Sequence, residues 1–569
     1  MMKRLQKLIT NKKFPIIALG IIVLLAAVLR LWSLGTVPPS PDWDEVALGY
    51  NAYSIMHTGR DEYGKLMPIV LQSFNDYKPA FYMYTTIPFI AIFGLTTFAV
   101  RLPSALVGIG AILITYFLVK ELFTVRGATK NSKPHTTEIL ALIAAFLLAI
   151  SPWHIQFSRA AFEANMGLTI NLLAMLLFLK GLKRPWLLSL AAACMAGNFY
   201  IYQSDRVFTP LLGIALVIIY WKELFSLHKK YLVSAFLIGI LVLSPLFYYI
   251  ATNVNALSRA KGVSVFSQQT QVLASSQKKL EEDKANHNFL GEVLHNRRII
   301  YTRESIGGYL AHFDLNWLFL TGDSERHHAP HMGLLYLWEL PFLLIGIYAL
   351  LFFPFPTKTK LLIFSWFLIT PLPAAITFDV PHAVRTLNFL PTFQVFIALG
   401  LMQAFVFIKS YRLKILVYCL FFIVVFGNFA YYLNQYFVQQ NYYSSREWQY
   451  GYEDAVKYVK QIEGKYDTIM IARDTPLDQS YIFFLFYLKY PPQEYQQQTK
   501  NRSDGSVIFD DAHDFGKYKF RRFKWEKDKK PNVLYVGRPS DFPPVVGGER
   551  LKTINYLDGK PAIMIVEGK

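Results

Sequence analysis

The stretch FPIIALGIIVLLAAVLRLWSLGTVPPSPDWDE (Phe14–Glu45) decides the fold class. Its first part, 14–34, is an apolar run long enough to cross a bilayer core as a helix. The run is too long for the apolar region of a signal peptide, and no small-residue cleavage site follows. An uncleaved first span is therefore expected. Three carboxylates, Asp42, Asp44 and Glu45, come immediately after it. Working outward, further apolar runs lie at roughly 100–121, 138–153, 163–179, 186–201, 207–221, 231–251, 333–353, 361–378, 386–408 and 414–437. A chain that is 53% hydrophobic and only 17% charged is too apolar for an ordinary soluble protein. A mainly α, polytopic transmembrane protein of about eleven spans is expected. The two cysteines, Cys194 and Cys419, lie inside apolar runs and imply no disulfide framework.

One apolar stretch, Ala80–Phe93, contains Pro88 and is barely long enough to cross. Charge decides its status. If it stays at the interface or re-enters, the loops Lys120–Lys133 (with Arg126 and Lys130), Lys180–Arg184, Lys222–Lys230, Lys358–Lys360 and Lys409–Lys414 share the side of the amino terminus. All are basic, as cytoplasmic loops are. The net charge of +19 is then a topological signal and calls for no nucleic-acid partner. The expected layout is a cytoplasmic amino end (1–13), a membrane module (14–437) and outer loops at 35–99 and 252–332, in a plasma or inner membrane. The tail, 438–569, is expected outside as a soluble α/β domain. It has strand-like runs at Thr468–Ala472, Asn532–Val536 and Ala562–Val566, and a helix at Glu447–Ile462.

Unusual polar residues gather on the outer side of this layout. They are Asp42, Asp44, Glu45, Asp76, Lys78, Arg159, Glu163, Asp205, Arg206, Asp379, His382 and Arg385, most of them within a few residues of a span end. Charges near hydrocarbon are costly and usually face a cavity or a partner. Carboxylates can take a proton from a hydroxyl or hold a divalent cation such as Mg²⁺ or Mn²⁺. Lys78, Arg206 and Arg385 suit a phosphate. Both together suit a lipid-linked phosphate ligand whose phosphate leaves when an acceptor hydroxyl attacks.

These residues lie in stretches that resemble the C-type, polyprenyl-phosphate-dependent glycosyltransferases. The stretches are the acidic pair Asp44–Glu45, YKPAFY (Tyr77–Tyr82), FGLTTFAVRLPSALVG (Phe93–Gly108), SPWHIQFSRAAFEAN (Ser151–Asn165), YQSDRVFTPLL (Tyr202–Leu212), HMGLLYLWELPFLLIG (His331–Gly346) and PHAVRTLNFLP (Pro381–Pro391). The chain is similar over 14–437 to the protein O-mannosyltransferases and the aminoarabinose transferase of lipid A. The resemblance implies an inverting transfer of a sugar from a polyprenyl phosphate to a protein, lipid or glycan acceptor on the outer face. It implies that Asp44, with Glu45 beside it, is the base or a metal ligand, and that Lys78 meets the donor phosphate. Glu163 stands where relatives often carry Asp. Arg206 and Arg385 are further candidates for the donor phosphate, and Arg159, Glu163 and His382 for substrate.

Plainer roles exist for several of these residues. Asp44 and Glu45 fit the cap of a helix starting near Val46. Lys78 and Arg385 fit interfacial anchors. Asp205 fits a partner for Arg206. Arg159 and Glu163, four apart, fit a helix ion pair. In GDSERHHAPHMG (Gly322–Gly333), His327, His328 and His331 could bind zinc. No recognised ligand spacing completes the set, so this loop is expected to line substrate. FGKYKFRRFKWEKDKK (Phe515–Lys530) is expected as a solvated, charged hairpin. Two other functions stay open: a transporter or flippase of lipid-linked sugars, and a binding protein whose tail does the work. Transporters place polar sites near the midplane and show paired repeats; here the polar residues favour one face and no repeat is evident.

Overall fold

Helix accounts for most of the chain, and the apolar runs lie on it. The computed structural model describes residues 13–74, 76–124, 134–253, 264, 266, 271–404, 410–499, 513–543 and 549–568. The basic residues before Lys13, and Arg126, Lys130, Lys133 and Lys409, lie outside this set. Among the described residues, six helices are long and apolar enough to cross a membrane, or seven if a bent pair counts as one span. Phe14–Leu31, Thr97–Thr124 and Lys229–Thr252 are three of them. The last has only 11% of its apolar window buried, leaving Phe236, Leu241 and Tyr248 exposed. Such a face is stable only against hydrocarbon or a partner. Other expected spans are carried by shorter helices, such as Leu187–Gly197, Glu339–Phe352 and Thr357–Ile369. Phe81–Phe93 has 13 residues. At about 1.5 Å per residue it falls well short of a hydrocarbon core of about 30 Å.

The chain divides into two units. One, here the helical unit, comprises Met1–Leu29, Val107–Ile155 and Glu163–Phe429. Its helices Glu339–Phe352 and Thr392–Ala404 approach backbone to backbone. A Cβ on Gly346 would lie 1.7 Å from the Phe396 carbonyl oxygen, and one on Gly400 would lie 1.8 Å from that of Phe342. Only glycine permits this crossing. Gly400→Ala must push the helices apart and should cost at least about 1–3 kcal/mol, the usual range for overpacking. A lowered thermal midpoint in detergent is the expected result. Gly20→Ala, where an added Cβ meets nothing within 4 Å, should leave the midpoint unchanged.

The mixed unit comprises Arg30–Leu106, Gln156–Phe162 and Ala430–Lys569. Its first helix, Trp43–Thr58, begins at Asp42 and ends at Gly59, which supplies a left-handed φ of 69°. A hairpin follows, pairing Val70–Ser73 with Asp76–Pro79 and placing Lys78 opposite Leu71. The tail folds as a five-stranded sheet. In spatial order the strands are Tyr518–Phe520, Thr468–Ile471, Val533–Gly537, Pro561–Glu567 and Glu549–Asn555. The first three run parallel, and the last two pair antiparallel.

All three strand-like runs lie in this sheet, and the expected helix starts later, at Tyr452, after Gly451 with a φ of 110°. The segment Phe515–Lys530 is not a solvated hairpin. It contributes an edge strand and the short helix Trp525–Asp528, and its aromatic residues point inward. Trp525 packs with Tyr535, Phe542, Met564 and Val566, so burying the rings outweighed solvating the cations between them.

The tail and the loop after the first span share one core. The apolar helix Ser480–Leu488 packs on Trp43–Thr58, where a Cβ on Gly49 would lie 2.7 Å from the Phe486 ring. The Tyr50 hydroxyl donates to the Tyr490 carbonyl (3.1 Å), and the Gln496 amide donates to Ser54 Oγ (2.9 Å).

Candidate functional site

In the mixed unit the three carboxylates have three different surroundings. Asp42 is the helix cap, its side chain accepting from the Glu45 N–H at 2.9 Å. Glu45 closes the capping box by accepting from the Asp42 N–H at 3.3 Å. It also receives Arg101 through both of its oxygens, Nε to Oε1 at 2.9 Å and Nη2 to Oε2 at 2.8 Å. A fourth donor, the Ala161 N–H, reaches Oε1 at 2.8 Å. Arg101 completes its donors on the carbonyls of Leu34, Pro38 and Ser40. The expectation of a catalytic or metal-binding Glu45 is therefore corrected: four donors occupy it, and it positions the helix start. The sequence carried one signal for its partner, an arginine inside an apolar run, which must find a counter-charge.

Asp44 is differently placed. Its side chain is 41% exposed and pairs with Lys78, whose own side chain is 11% exposed. The hairpin thus presents an ammonium group to the one carboxylate of the three that solvent or a substrate can reach.

Arg159 is buried. Its Nη2 donates to the carbonyls of Trp32 (2.7 Å) and Val37 (2.9 Å), and its guanidinium lies 4.7 Å from the Phe437 ring. These contacts fix the turn after the first span. Arg159 ends the helix Pro152–Arg159 while Glu163 starts Glu163–Gly181. The helix ion pair expected from their spacing does not apply, because a turn separates them.

In the helical unit, Asp205 does not pair with Arg206. Its Oδ1 accepts from the amides of Asn171 (3.0 Å) and Asn388 (2.7 Å). Arg206 donates Nε to the Phe199 carbonyl at 3.0 Å, while its buried Nη2 has no hydrogen-bond partner among the described residues. Arg385 is held through Nη1 by Thr377 Oγ1 at 2.6 Å. The Tyr202 phenol is pushed up by burial, with Arg385 opposing and Glu163 and Asp205 reinforcing.

Beside Arg385 lies a histidine cluster. Asp323 Oδ2 accepts from the Ala383 N–H at 2.6 Å and lies 3.0 Å from His327 Nδ1. Burial would raise the Asp323 carboxyl, but His327, His382 and that N–H outweigh it and hold it at about 2. The His382 N–H donates to His312 Nε2 at 3.1 Å, and burial pushes His312 down to about 4. Burial also lowers His382, and its Nδ1 is buried with no hydrogen-bond partner among the described residues. The grouping differs from the one expected. Asp323 and His382 join His327, whereas His328 turns its Nε2 to the Asp323 carbonyl at 2.7 Å.

One further acidic pair lies in the first loop. Burial raises Glu62 from its ordinary 4.5 to about 8, although Asn51 Nδ2 donates to it at 3.0 Å. Burial likewise raises Asp61 from 3.8 to about 6. A carboxyl raised on folding binds its proton more tightly in the folded state. Its contribution is complete below the unfolded value and is lost as pH rises toward the folded one. Stability should therefore fall between about pH 4.5 and pH 8, by up to about 1.4 kcal/mol per pH unit for Glu62. Glu62→Gln should flatten that slope and raise the thermal midpoint at pH 8. Melting curves of both proteins across this range make the check; parallel slopes would refute it.

No family model matches the chain. Among curated proteins it is 29% identical over 197 residues to "Putative mannosyltransferase YycA" of Bacillus subtilis (strain 168). The match covers 34% of this chain and 26% of that relative, so the chain spans about a quarter of the relative's length in the aligned region. Among solved structures, ArnT from Cupriavidus metallidurans bound to undecaprenyl phosphate superposes over 97% of this chain and 98% of that one, with a TM-score of 0.52 at 12% identity. The fold is that of ArnT. Its apo structure agrees, with a TM-score of 0.53, 13% identity and 97% of each chain covered. The resemblance to C-type glycosyltransferases read from the motifs thus holds at the level of the fold, and the superposition includes the sheet-bearing tail.

Proposed function

We propose that this protein is a membrane glycosyltransferase that moves a sugar from a polyprenyl phosphate to an acceptor hydroxyl on the outer face, with inversion at the anomeric carbon. The amino end is cytoplasmic and the tail lies outside. The observation that carries this reading is the Asp44–Lys78 pair: an accessible carboxylate held by an ammonium group, at the start of a helix that Glu45 and Arg101 lock in place. Asp44 takes the proton of the acceptor hydroxyl as its oxygen attacks the anomeric carbon. The bond from that carbon to the phosphate oxygen breaks, and the departing lipid phosphate keeps the electron pair. Lys78 neutralises the charge that develops there. Within the helical unit, the Nη2 of Arg206, which has no hydrogen-bond partner among the described residues, and the guanidinium of Arg385 each suit an anion.

A cavity of about 610 Å³ in the same unit, lined by Met195, Phe199, Ile214, Val217, Phe236 and Leu243, suits part of a prenyl chain. A Mg²⁺ or Mn²⁺ ion shared by Asp44 and Glu45 would have to displace Arg101 from a buried ion pair, at a cost of several kcal/mol. The mechanism therefore assigns no ion to that pair.

The test is sugar release and transfer by the purified chain from a panel of radiolabelled polyprenyl-phosphate sugars, with crude acceptor extract and added Mg²⁺ or Mn²⁺. Turnover of at least one donor is expected. No turnover with any donor would refute the reading and favour transport.

A further inference from the structure

We propose that Asp323, His327 and His382 form a binding site for a divalent transition metal of the zinc type, separate from the carboxylates of the first loop. The two stretches that supply these residues lie more than 50 positions apart, yet the three offer ligand atoms within 4.8 Å of one another. Two of those atoms are already close to the required spacing. His327 Nδ1 and Asp323 Oδ2 are 3.0 Å apart. Two ligands on one tetrahedral ion, each about 2.0–2.1 Å from it, lie about 3.3 Å apart. An ion therefore replaces the proton now shared between them with little movement. The third ligand comes from His382, whose Nδ1 is buried without a hydrogen-bond partner among the described residues. The imidazole rings of His327 and His382 lie 5.2 Å apart, tilted by 33°, so both border the same small space.

The surroundings hold each ligand in place. The Ala383 N–H fixes the Asp323 carboxylate, His328 Nε2 meets the Asp323 carbonyl, and His312 Nε2 holds the backbone of His382. Outer contacts of this kind orient metal ligands. Two imidazoles and one carboxylate select zinc-like ions over Mg²⁺ or Ca²⁺, which prefer oxygen. Three protein ligands leave a position open for water or an anion. Arg385 is close enough to act on His382 by charge, and it adds a cation on that side. The ion would tie the loop around Gly322–Gly333 to the turn around Pro381–Arg385.

The experiment uses the full chain purified in detergent with a tag free of histidine, exposed to Zn²⁺, freed of excess and measured by elemental mass spectrometry. About one zinc per chain is expected. His382→Ala and Asp323→Asn should each reduce it at least tenfold, whereas Asp44→Asn should keep it. Should the triad variants fail to fold, Co²⁺ titration of the unaltered chain decides, since a site with nitrogen ligands gives intense visible bands that one equivalent saturates. Zinc no higher than in His382→Ala, zinc lost on Asp44→Asn, or no Co²⁺ bands would overturn the proposal. None of these readouts depends on sugar transfer, so failure of one reading leaves the other standing.

Discussion

Replacing Asp44 by asparagine should lower sugar transfer by at least about 10²–10⁴-fold, the usual contribution of a positioned general base. The substitution keeps the shape of the side chain and removes its charge and its basicity. Folding should hold. Asp44 is 41% exposed, and the cap that starts its helix belongs to Asp42, not to Asp44. The loss should therefore appear in kcat, with the thermal midpoint within about 0.5 kcal/mol of wild type, as for a surface substitution. Lys78 keeps its charge in this variant, so donor binding should survive, because the ammonium still meets the phosphate. Initial rates at saturating donor, beside donor affinity, separate the two effects. Wild-type turnover in Asp44→Asn would remove Asp44 from the chemistry.

Arg101→Met should give the largest loss of stability, about 3–5 kcal/mol, because it leaves a buried carboxylate without its counter-charge. Glu45 and Arg101 are both almost wholly buried, and every N–H group of the guanidinium donates to the protein. Three of those bonds go to carbonyls between Leu34 and Ser40, so the same residue ties the turn after the first span to the helix that carries Asp44. Glu45→Gln alone should cost less, since an amide keeps part of the hydrogen bonding. The double variant should regain part of the loss seen in Arg101→Met, and that non-additivity separates the pair from a packing effect. Denaturant unfolding of the four proteins is the measurement. A cost below about 1 kcal/mol for Arg101→Met would show that the pair is solvated and that the clamp does not hold the site.

The shared core of the mixed unit bears on the reading in which the tail works alone. Removing 438–569 would uncover the face of Trp43–Thr58 on which Phe486 and Tyr490 sit. The truncated chain would then lose the support of Asp44, and a loss of transfer on truncation would not by itself place the chemistry in the tail.

Local pattern by itself determined much of this protein. Apolar run length marked the helices, and three short β-branched and aliphatic runs marked the central strands, because a bilayer helix and a buried strand each answer to the composition of a few consecutive residues. The acidic stretch after the first span drew attention to Asp44 for the same reason. The tertiary structure alone decided what those residues do. Glu45 and Asp44 are adjacent and chemically similar, and they differ because Arg101, 56 positions away, and the Ala161 N–H reach the first while Lys78 pairs with the second. The histidines of Gly322–Gly333 complete no recognised ligand spacing in the sequence, although Asp323 stands four residues before His327. Its meaning depends on His382, which a different turn delivers. Phe515–Lys530 looked like a charged hairpin because its cations are local, whereas the cavity its rings fill is built by distant strands. Periodicity reports which face of an element is apolar; which charge meets which is set by contacts that close only when the chain has folded.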